Sequence, residues 1–496
     1  MNKLSVVLIV LLLCGVTTCV VAADRPDHGQ GEMAGHVTKN SVILQSRLTR
    51  GSTLIDGDLP GSPGIACFEI SRNPEFKGSF KTDWIKAVPQ HDYIVKTKVS
   101  GLKPATRYYY RLVYGSTRND TVNGRTCTFK TLGGKTTVSR VRLAIVTGMN
   151  YFFFHEGAYD PATAYKGPDK ALGYPGLASI LRVHPDYFVG TGDNVYFDHP
   201  AKKANNPNRW TGLAWSDRAK TEPEMRRKYH EQFVQPRFID LFAKVPVYWE
   251  VDDHDYRYND CDNTGDTPPL PALGAKNFKE QLPVVDPADP AALTYSTLRM
   301  NRDLQVWFLE GRMYRSPNAM PDGPDKSIWG KTQLAWLKKT LLESDATFKL
   351  IISPTPLVGP DGNGKRDNHA NLKGFRHEAD AFFAWLTENG FLEKHLYFAC
   401  GDRHWQYHAI HPSGFEEFSC GALVQANSRL GVKAGSPKST DPEGKIKQPY
   451  CQLEGEPSAG FLTVTVMPFE GGAVARFDFF DEFGKQTYTN EKVVQF

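Results

Sequence analysis

The sequence predicts an α/β protein in which a small all-β module precedes a larger layered domain of strands and helices. Three observations predict this fold class. Short runs of alternating apolar and polar residues, separated by Gly, Pro and Asn, fill the chain as far as Thr137. From Val141 onward, apolar strand-like runs alternate with amphipathic helical patterns. Acidic clusters follow three of these later strands, at the strand ends where layered α/β folds carry their chemistry.

Length and composition are those of a globular chain with more than one domain. The 496 residues exceed one typical domain, and a hydrophobic content of 40% is enough to build buried cores. The net charge of +4 is too small to indicate a nucleic-acid surface. The composition therefore argues against extensive disorder, and it predicts no nucleic-acid-binding module.

The first residues have the pattern of an export signal. Lys3 precedes the apolar run 4–13, and Val21-Ala22-Ala23 offers small residues for cleavage before Asp24. The sequence therefore predicts a signal peptide at residues 1–23 and a secreted or periplasmic protein without a stable membrane anchor. A retained anchor is the alternative, which the shortness of the apolar run disfavours.

Residues 24–138 are predicted to form the all-β module. Runs such as Ser41–Leu48 and Tyr93–Val99 alternate in polarity and end at turn residues. Between Gly101 and Gly115 a turn leads into a tyrosine-rich strand, which resembles the tyrosine-bearing strand of fibronectin-III and Ig-like sandwiches. This segment contains no catalytic cluster.

The cysteine count permits disulfide bonds. Six cysteines remain once Cys14 and Cys19 leave with the signal peptide, and an even number in an exported chain favours pairing. Cys67 and Cys127 are the first predicted pair because both lie in the amino-terminal module. Cys400 and Cys420 are alternatively interpreted as buried free thiols in neighbouring strands.

Residues 139–496 are predicted to form one layered catalytic domain. Its predicted strands are 142–148, 186–193, 245–253, 348–354 and 395–402, and its predicted helices are 176–184, 224–244, 332–344 and 378–389. The strand-like stretch 460–496 is predicted to belong to the sheet of the same domain.

Three acidic clusters follow strands of this domain. They are the segments Gly192–Tyr196, Val251–Asp255 and Gly401–His404. A single Asp at a strand end is often a turn residue or a helix cap. Three clusters at equivalent strand ends are hard to explain by packing, because a buried carboxylate is costly unless it is paired or bound to a metal.

These residue types suit metal-assisted hydrolysis of a phosphate ester. Two metal ions roughly 3.5–4 Å apart activate a water molecule and relieve the charge of the phosphoryl oxygens. The Asp193 carboxylate is suited to bridging two cations, imidazoles suit iron, zinc or manganese, and an oxygen-only set suits calcium. Tyr196 either ligates ferric iron as a phenolate or packs at a helix start.

The same segments resemble the alkaline phosphatase D (PhoD-like) metallophosphatase family. GDNVY at 192–196 is similar to its GDxxY element, DDHD at 252–255 to its DDHE element, and GDRH at 401–404 to its GDxH element. The resemblance extends in the same order over nearly all of the mature chain. It implies a metallophosphatase-type layered sheet domain preceded by a small all-β fibronectin-III/Ig-like sandwich.

The resemblance also implies a set of site residues and cofactors. The implied metal ligands are Asp193, Tyr196, Asp252, Asp253, Asp402 and His404, with Asp252 the weaker candidate that orients its neighbour. His254 is implied to stabilise the transition state or to protonate the leaving oxygen. The implied cofactors are two or more metal ions, iron(III) with calcium, and zinc or manganese are alternatives.

Arginines near the motifs are candidates for binding the phosphate group. Arg403 lies inside the third motif, and Arg312 and Arg315 lie just beyond a strand. The planar guanidinium donates two parallel hydrogen bonds to phosphate, but arginines often have structural roles instead. We take Arg403 as the second catalytic residue beside His254.

The chain departs from the family pattern at two places. Gly148 stands where the family has a cysteine ligand, and Asn150 or His155 could compensate. The segment 367–375 keeps only the Gly-aromatic end of a family motif, and its Asn368, His369 and Asn371 could bind metal or phosphate, or could line a loop. These gaps leave the number and identity of the metals open.

The sequence thus predicts a secreted phosphoric ester hydrolase that acts on small-molecule phosphate monoesters, diesters or both. One alternative is a hydrolase for a phosphotriester, a phospholipid or a sulfate ester. The other is a secreted, non-catalytic metallophosphatase relative that binds a surface or glycan through its β-module, which the missing cysteine keeps open. The sequence predicts nothing about oligomeric state.

Overall fold

The computed structural model describes residues 25–158, 160–199, 218–289 and 291–496. The predicted signal peptide lies outside the described residues. Within them the chain forms 22 strands, β1–β22, and eight α-helices, α1–α8. None of these helices combines the length and apolar character that crossing a bilayer requires.

The strands fall in three parts of the chain. Those of the amino-terminal part are β1 (Glu32–Gly35), β2 (Ser41–Arg47), β3 (Gly64–Ser71), β4 (Phe80–Lys81), β5 (Ile85–Ala87), β6 (Ile94–Ser100), β7 (Arg107–Thr117), β8 (Asp120–Asn123) and β9 (Cys127–Lys130). Those of the middle part are β10 (Val141–Val146), β11 (Tyr187–Thr191), β12 (Val247–Glu250), β13 (Ser296–Arg299), β14 (Leu304–Phe308), β15 (Phe348–Ser353) and β16 (Leu396–Cys400). The remaining strands are β17 (Gln406–Ile410), β18 (Glu416–Cys420), β19 (Lys447–Cys451), β20 (Gly460–Phe469), β21 (Gly472–Asp481) and β22 (Gln486–Gln495).

The helices lie between the strands of the larger domain. They are α1 (Tyr151–Glu156), α2 (Pro175–Arg182), α3 (Glu222–Phe233), α4 (Pro236–Phe242), α5 (Asp253–Tyr256), α6 (Pro271–Gln281), α7 (Gly330–Leu342) and α8 (Arg376–Glu388).

Two large sheets face each other in the larger domain. One has nine strands in the order β22-β21-β20-β10-β11-β12-β1-β2-β6, and the other has seven in the order β13-β14-β15-β16-β18-β17-β19. Leu143 and Ile145 of β10 share a core with Val306 of β14 and Ile352 of β15, whereas the alternate residue Ala144 faces the helices. This alternation follows from the two-residue period of a strand.

Helices cover the outer faces of both sheets. Leu177 of α2 packs with Phe188 of the nine-stranded sheet, and Phe383 of α8 packs with Phe398 of the seven-stranded sheet. The result is a helix–sheet–sheet–helix arrangement, which confirms the predicted layered α/β fold. The predicted stretch 460–496 forms β20 to β22, and β20 pairs antiparallel with β10 in the same sheet.

The prediction of one continuous helix over residues 224–244 is wrong. The segment 224–244 forms two helices, α3 and α4, because Pro236 begins a new helix after Gln235 in extended conformation. Proline lacks the N–H that an uninterrupted helix would need at this position, and it disfavours helical backbone at the residue before it.

The amino-terminal module is a sandwich, as predicted, but one of its sheets continues into the larger domain. Phe68 and Tyr110 of the six-stranded sheet, built from β3, β4, β5, β7, β8 and β9, share a core with Val42 of β2 and Val95 of β6. The strand β1 also pairs in parallel with β12, where Gly35 lies opposite Val247. The sequence did not predict this shared sheet, and the domain boundary at residue 138 stays a prediction.

The predicted disulfide between Cys67 and Cys127 is not formed. Cys67 of β3 lies opposite Val113 of β7, whereas Cys127 of β9 lies opposite Tyr110 of β7. Val113 and Tyr110 are three positions apart, so the two cysteines point to opposite faces of the sheet, on either side of β7. All six cysteines of the described residues are free thiols, which agrees with the alternative interpretation of Cys400 and Cys420.

The carboxyl ends of strands from both large sheets meet at one place. Gly401 follows β16, and a Cβ atom on it would lie 2.3 Å from Thr191 Oγ1 at the end of β11 and 2.9 Å from the Pro354 carbonyl oxygen after β15. Any residue larger than glycine at position 401 would therefore push the ends of β11 and β15 away from the end of β16. A Cβ atom on Gly192, after β11, would likewise lie 2.4 Å from Asp252 Cβ, after β12, so the loops after β11, β12 and β16 meet.

Candidate metal centre

Asp193 lies at the centre of the converging loops. Its Oδ2 atom accepts a hydrogen bond from the Tyr196 hydroxyl at 2.7 Å and lies 3.0 Å from His404 Nε2. Tyr196 and Asp193 follow β11 of the nine-stranded sheet, whereas His404 follows β16 of the seven-stranded sheet. The first and third sequence motifs therefore meet at one carboxylate.

The backbone of the centre is strained and held by Asp255. Asp193 and Asp402 both have left-handed backbone, with φ of 53° and 58°. Such conformations cost of order 1–3 kcal/mol each in non-glycine residues and concentrate at functional sites. The buried Asp255 carboxylate accepts hydrogen bonds from the backbone N–H groups of Asp193 and Asn194, each at 3.2 Å, and of Asp252 at 2.8 Å. It thereby ties the loop after β11 to the loop after β12.

Tyr196 is fixed by a residue from a distant part of the chain. Asn427 Nδ2 donates to the Tyr196 hydroxyl at 2.7 Å and to the Gly148 carbonyl oxygen at 3.2 Å. Burial, together with the Asp193 carboxylate, raises the pKa of Tyr196 well above its ordinary value. A phenolate at this position would therefore need a cation beside it.

The second motif contributes Asp253 and His254. Asp193, Asp253 and His254 are buried and offer ligand atoms within 4.8 Å of one another. His254 Nδ1 lies 2.7 Å from Asp198 Oδ1, and Asp198 Oδ2 accepts from the Asn259 backbone N–H at 2.9 Å. Although burial disfavours the His254 cation, Asp198 and Asp253 raise the pKa of His254 well above its ordinary value.

Asp198 and His199 were not among the predicted site residues. With His254 they form a second group of buried ligand atoms within 4.8 Å of one another. His199 Nδ1 lies 2.7 Å from Asn150 Nδ2. The available sequence signal is their position two and three residues after the GDNVY motif.

In the third motif, Asp402 forms an ion pair with Arg403. Arg403 NH1 also donates to Asp361 Oδ1 at 2.5 Å, so both terminal nitrogens engage carboxylates. Although burial opposes ionisation, Arg403 and Lys365 lower the pKa of Asp402 to about 2. The predicted role of Arg403 in binding phosphate stays a prediction.

Asp252 is paired with the buried Arg312. Arg312 Nε donates to Asp252 Oδ1 at 2.6 Å, and its NH2 lies 3.4 Å from Asp367 Oδ2. Arg315 donates instead to the Gly311 carbonyl oxygen at 2.6 Å and to Asn318 at 3.0 Å. Both arginines, which the sequence offered as phosphate ligands, thus have structural partners.

The structure leaves no room for a side chain at position 148, where the family has a cysteine. Gly148 has a φ of 65°, and a Cβ atom on it would lie 2.8 Å from Ala422 Cβ. The two suggested substitutes differ: Asn150 reaches the centre through His199, whereas the His155 ring lies against Tyr151, with ring centroids 4.2 Å apart.

Two residues of the segment 367–375, Asp367 and Asn368, lie at the centre. Asn368 Nδ2 donates to Asp361 Oδ2 at 3.0 Å and lies 3.5 Å from Asp402 Oδ2. Asn371 also donates to Asp361, at 2.9 Å, and His369 Nε2 lies 2.9 Å from Glu378. Asn371 and His369 therefore hold the loop in place.

Two family models identify the family of this chain. The model of the PhoD-like phosphatase matches residues 163–466, and the model of the PhoD-like phosphatase N-terminal domain matches residues 16–130. The first match alone spans more than half of the sequence. The chain belongs to the PhoD-like phosphatase family.

Solved structures agree with this family in fold. The structure of PhoD is 16% identical, with a TM-score of 0.69 over 94% of this chain and 90% of that chain. A purple acid phosphatase from yellow lupin (Lupinus luteus) seeds is 11% identical, with a TM-score of 0.57 over 95% of this chain and 74% of that chain. A search among curated proteins gave no match.

Family membership confirms the predicted activity class. The chain is a phosphoric ester hydrolase of the metallophosphatase type, and its family together with the buried Asp/His cluster indicates several metal ions. The non-catalytic alternative is thereby set aside. Substrate preference and the identity of the ions go beyond family membership.

The residues present fit metal ions. Buried side-chain oxygens at the centre that lack a hydrogen-bond partner among the described residues include Asp193 Oδ1, Asp252 Oδ2, Asp367 Oδ1 and Asn368 Oδ1. A buried polar atom without a partner is costly, and one near the convergence of three motifs suits a cation ligand. Carboxylate, imidazole and phenol groups are also the donor types that iron and divalent ions take in proteins.

Proposed function

We propose that this chain is a secreted phosphoesterase that hydrolyses small-molecule phosphate monoesters, diesters or both. The observation that carries the proposal is the Asp193 carboxylate, which contacts Tyr196 and His404 and lies within ligand distance of Asp253. Secretion rests on the signal-peptide pattern in residues 1–23.

The donor types divide the centre into two positions. Tyr196 and His404 would hold iron(III), because a phenol and an imidazole suit this ion. Asp253 and Asp402 would hold calcium, which prefers oxygen ligands, and Asp193 would be shared by both ions. Zinc or manganese are alternatives for the first position. The bound ions would activate a water molecule and relieve the charge on the phosphoryl oxygens.

The side chains around the ions have roles of their own. Asp252, held by Arg312, would orient its neighbour Asp253. His254, whose Nδ1 is bound to Asp198, has Nε2 left to protonate the departing oxygen. Arg403 Nε has no hydrogen-bond partner among the described residues, which supports a contact with phosphate.

Elemental analysis combined with an ester panel tests the proposal. We expect purified, metal-replete protein to hold at least two tightly bound ions per chain and to hydrolyse an aryl phosphate monoester or diester. Side-by-side rates on a phosphotriester, a phospholipid and a sulfate ester test the alternative substrates. Less than one bound ion per chain, with no turnover of any ester, would contradict the proposal.

Tyr196→Phe tests the ferric position by colour. A phenolate bound to ferric iron absorbs visible light, so we expect iron-loaded protein to be coloured and this variant to be nearly colourless. Tyr248→Phe is the control, because Tyr248 is also buried but donates to the Val37 carbonyl oxygen at 2.7 Å. An unchanged visible spectrum in iron-loaded Tyr196→Phe would remove Tyr196 from the ligand set.

A further inference from the structure

A lysine lies among the carboxylates on the outer side of the candidate metal centre. Lys365 Nζ is 2.8 Å from Asp260 Oδ1 and 4.0 Å from both Asp367 Oδ1 and Asp402 Oδ1. Its side chain is 27% exposed, so the ammonium group approaches the centre from the surface. None of the functions proposed above uses this residue.

Three of the surrounding groups could themselves bind a cation. Asp253, Asp260 and Asp367, here named the outer carboxylate cluster, offer oxygens within 4.8 Å of one another. Asp367 is 1% exposed and its Oδ1 has no hydrogen-bond partner among the described residues. Since Asp253 also belongs to the group with Asp193 and His254, the outer carboxylate cluster adjoins the two ion positions proposed above.

We propose that the Lys365 ammonium is a permanent cation of this centre, which occupies the outer carboxylate cluster and prevents a third metal ion from binding there. The inference rests on the proposed function, in which two ions are bound on the inner side. The centre would then contain two metal ions and one ammonium group.

The distances support an ammonium group rather than a vacant metal position. An N–H donor lies 2.7–2.9 Å from a carboxylate oxygen in a charge-assisted hydrogen bond, and the contact with Asp260 falls in this range. Calcium instead requires six to eight oxygens at 2.3–2.6 Å, and the ammonium would have to leave before the carboxylates could close around it. Lysine is charged at neutral pH and cannot be removed by a chelator.

The loop that carries Lys365 is held from several sides. Asp361, four residues earlier, accepts hydrogen bonds from Asn368 Nδ2 at 3.0 Å, Asn371 Nδ2 at 2.9 Å and Arg403 NH1 at 2.5 Å. These contacts fix both ends of the short segment between Asp361 and Asn368. Lys365 lies within this segment and is thereby held beside Asp260.

Lys365→Met tests the inference through metal content. After dialysis against excess calcium and removal of free ions, we expect two ions per chain in the parent protein and a third, calcium, in Lys365→Met. Lys365→Arg should keep two ions because it keeps the charge. Lys373→Met is the matched control, since Lys373 is an exposed lysine of the same loop, and it should also keep two ions.

A thermal measurement gives a second readout. Calcium that binds only the folded state stabilises it, so Lys365→Met should gain a calcium-dependent rise in Tm that the parent protein lacks. If Lys365→Met is unstable without metal, calcium should still restore its Tm toward that of the parent. A Tm that does not respond to calcium would contradict the inference.

The outcomes separate this inference from the proposed function. Three ions per chain in the active parent protein, or two ions in active Lys365→Met, would overturn the role of Lys365 and leave the proposed function intact. Less than one ion in an inactive parent protein would overturn both. Two ions in the parent and three in Lys365→Met, with two in both controls, would support the inference.

Discussion

Replacement of Asp193 by alanine is expected to lower kcat/KM for a chromogenic phosphate ester by at least about 1000-fold, or about 4 kcal/mol. Asp193 contacts Tyr196 and His404 and also lies near Asp253. Its loss should therefore disrupt both proposed ion positions together. The same preparation should show a reduced metal content.

The thermal stability of the metal-free protein shows whether the loss of activity in Asp193→Ala comes from a folding defect. Burial raises the pKa of Asp193 to about 7, and the neighbouring Asp253 charge adds to this effect while His254 opposes it. Because a buried carboxylate beside another carboxylate is unfavourable without metal, metal-free Asp193→Ala should have a Tm no lower than that of the metal-free parent at neutral pH.

The measurement is steady-state hydrolysis in metal-replete protein, with elemental analysis of the same sample. Asp240→Asn is the control, because Asp240 is an exposed carboxylate that pairs with Arg125 and belongs to none of the three motifs, and it should keep parental activity. Activity of Asp193→Ala within about tenfold of the parent, at normal metal content, would refute the assignment of Asp193.

The strand ends of the centre were predictable because local pattern determines them. Buried strands followed by Asp clusters place Asp193, Asp253 and Asp402 at carboxyl ends before any coordinates are known. That Asp193 meets His404 was not predictable from spacing. The two residues are 211 positions apart and follow strands of different sheets, so their contact depends on how the sheets face each other.

The wrong predictions have physical reasons. The Cys67–Cys127 disulfide was predicted from an even cysteine count, which does not indicate the face of the sheet on which each cysteine lies. The two side chains point to opposite faces of one sheet and cannot pair. The break before Pro236 was visible in the sequence, since proline cannot continue a helix without losing a hydrogen bond. The pairing of β1 with β12 joins strands that are far apart in the sequence, so no local sequence pattern predicts it.

Asp198 was missed for a different reason. An Asp shortly after a motif is most simply interpreted as a turn residue or a cap. Its importance appears only when His254, 56 positions later, is found 2.7 Å away. We therefore expect Asp198 to position His254.

Asp198→Asn is expected to lower kcat by about 10- to 100-fold with a smaller change in KM, the range typical of losing a carboxylate that orients a histidine at a metal site. Asparagine keeps the shape and can still accept a hydrogen bond from His254 Nδ1 through its single amide oxygen, so the substitution removes the charge and one of the two acceptor atoms that Asp198 offers to His254 and Asn259. If His254 protonates the leaving oxygen, the loss should be larger for an alkyl phosphate than for a nitrophenyl phosphate, whose leaving group needs little protonation.

The pH profile should change in a defined direction. Asp198 helps to raise the pKa of His254, and metal ions at Asp193 and Asp253 would cancel the contribution of those two carboxylates. Without the Asp198 charge this pKa falls, so the protonated form is lost at lower pH. The alkaline limb of kcat against pH should therefore move to lower pH in Asp198→Asn.

Asp266→Asn, at an exposed position, is the control and should leave both the rate and the profile unchanged. If kcat falls equally on the alkyl and nitrophenyl esters and the alkaline limb of the pH profile does not move, then Asp198 only supports the folded structure. A selective loss on the alkyl ester with a shifted limb requires the Asp198 charge to act on the proton of His254, because no packing defect distinguishes leaving groups by their basicity.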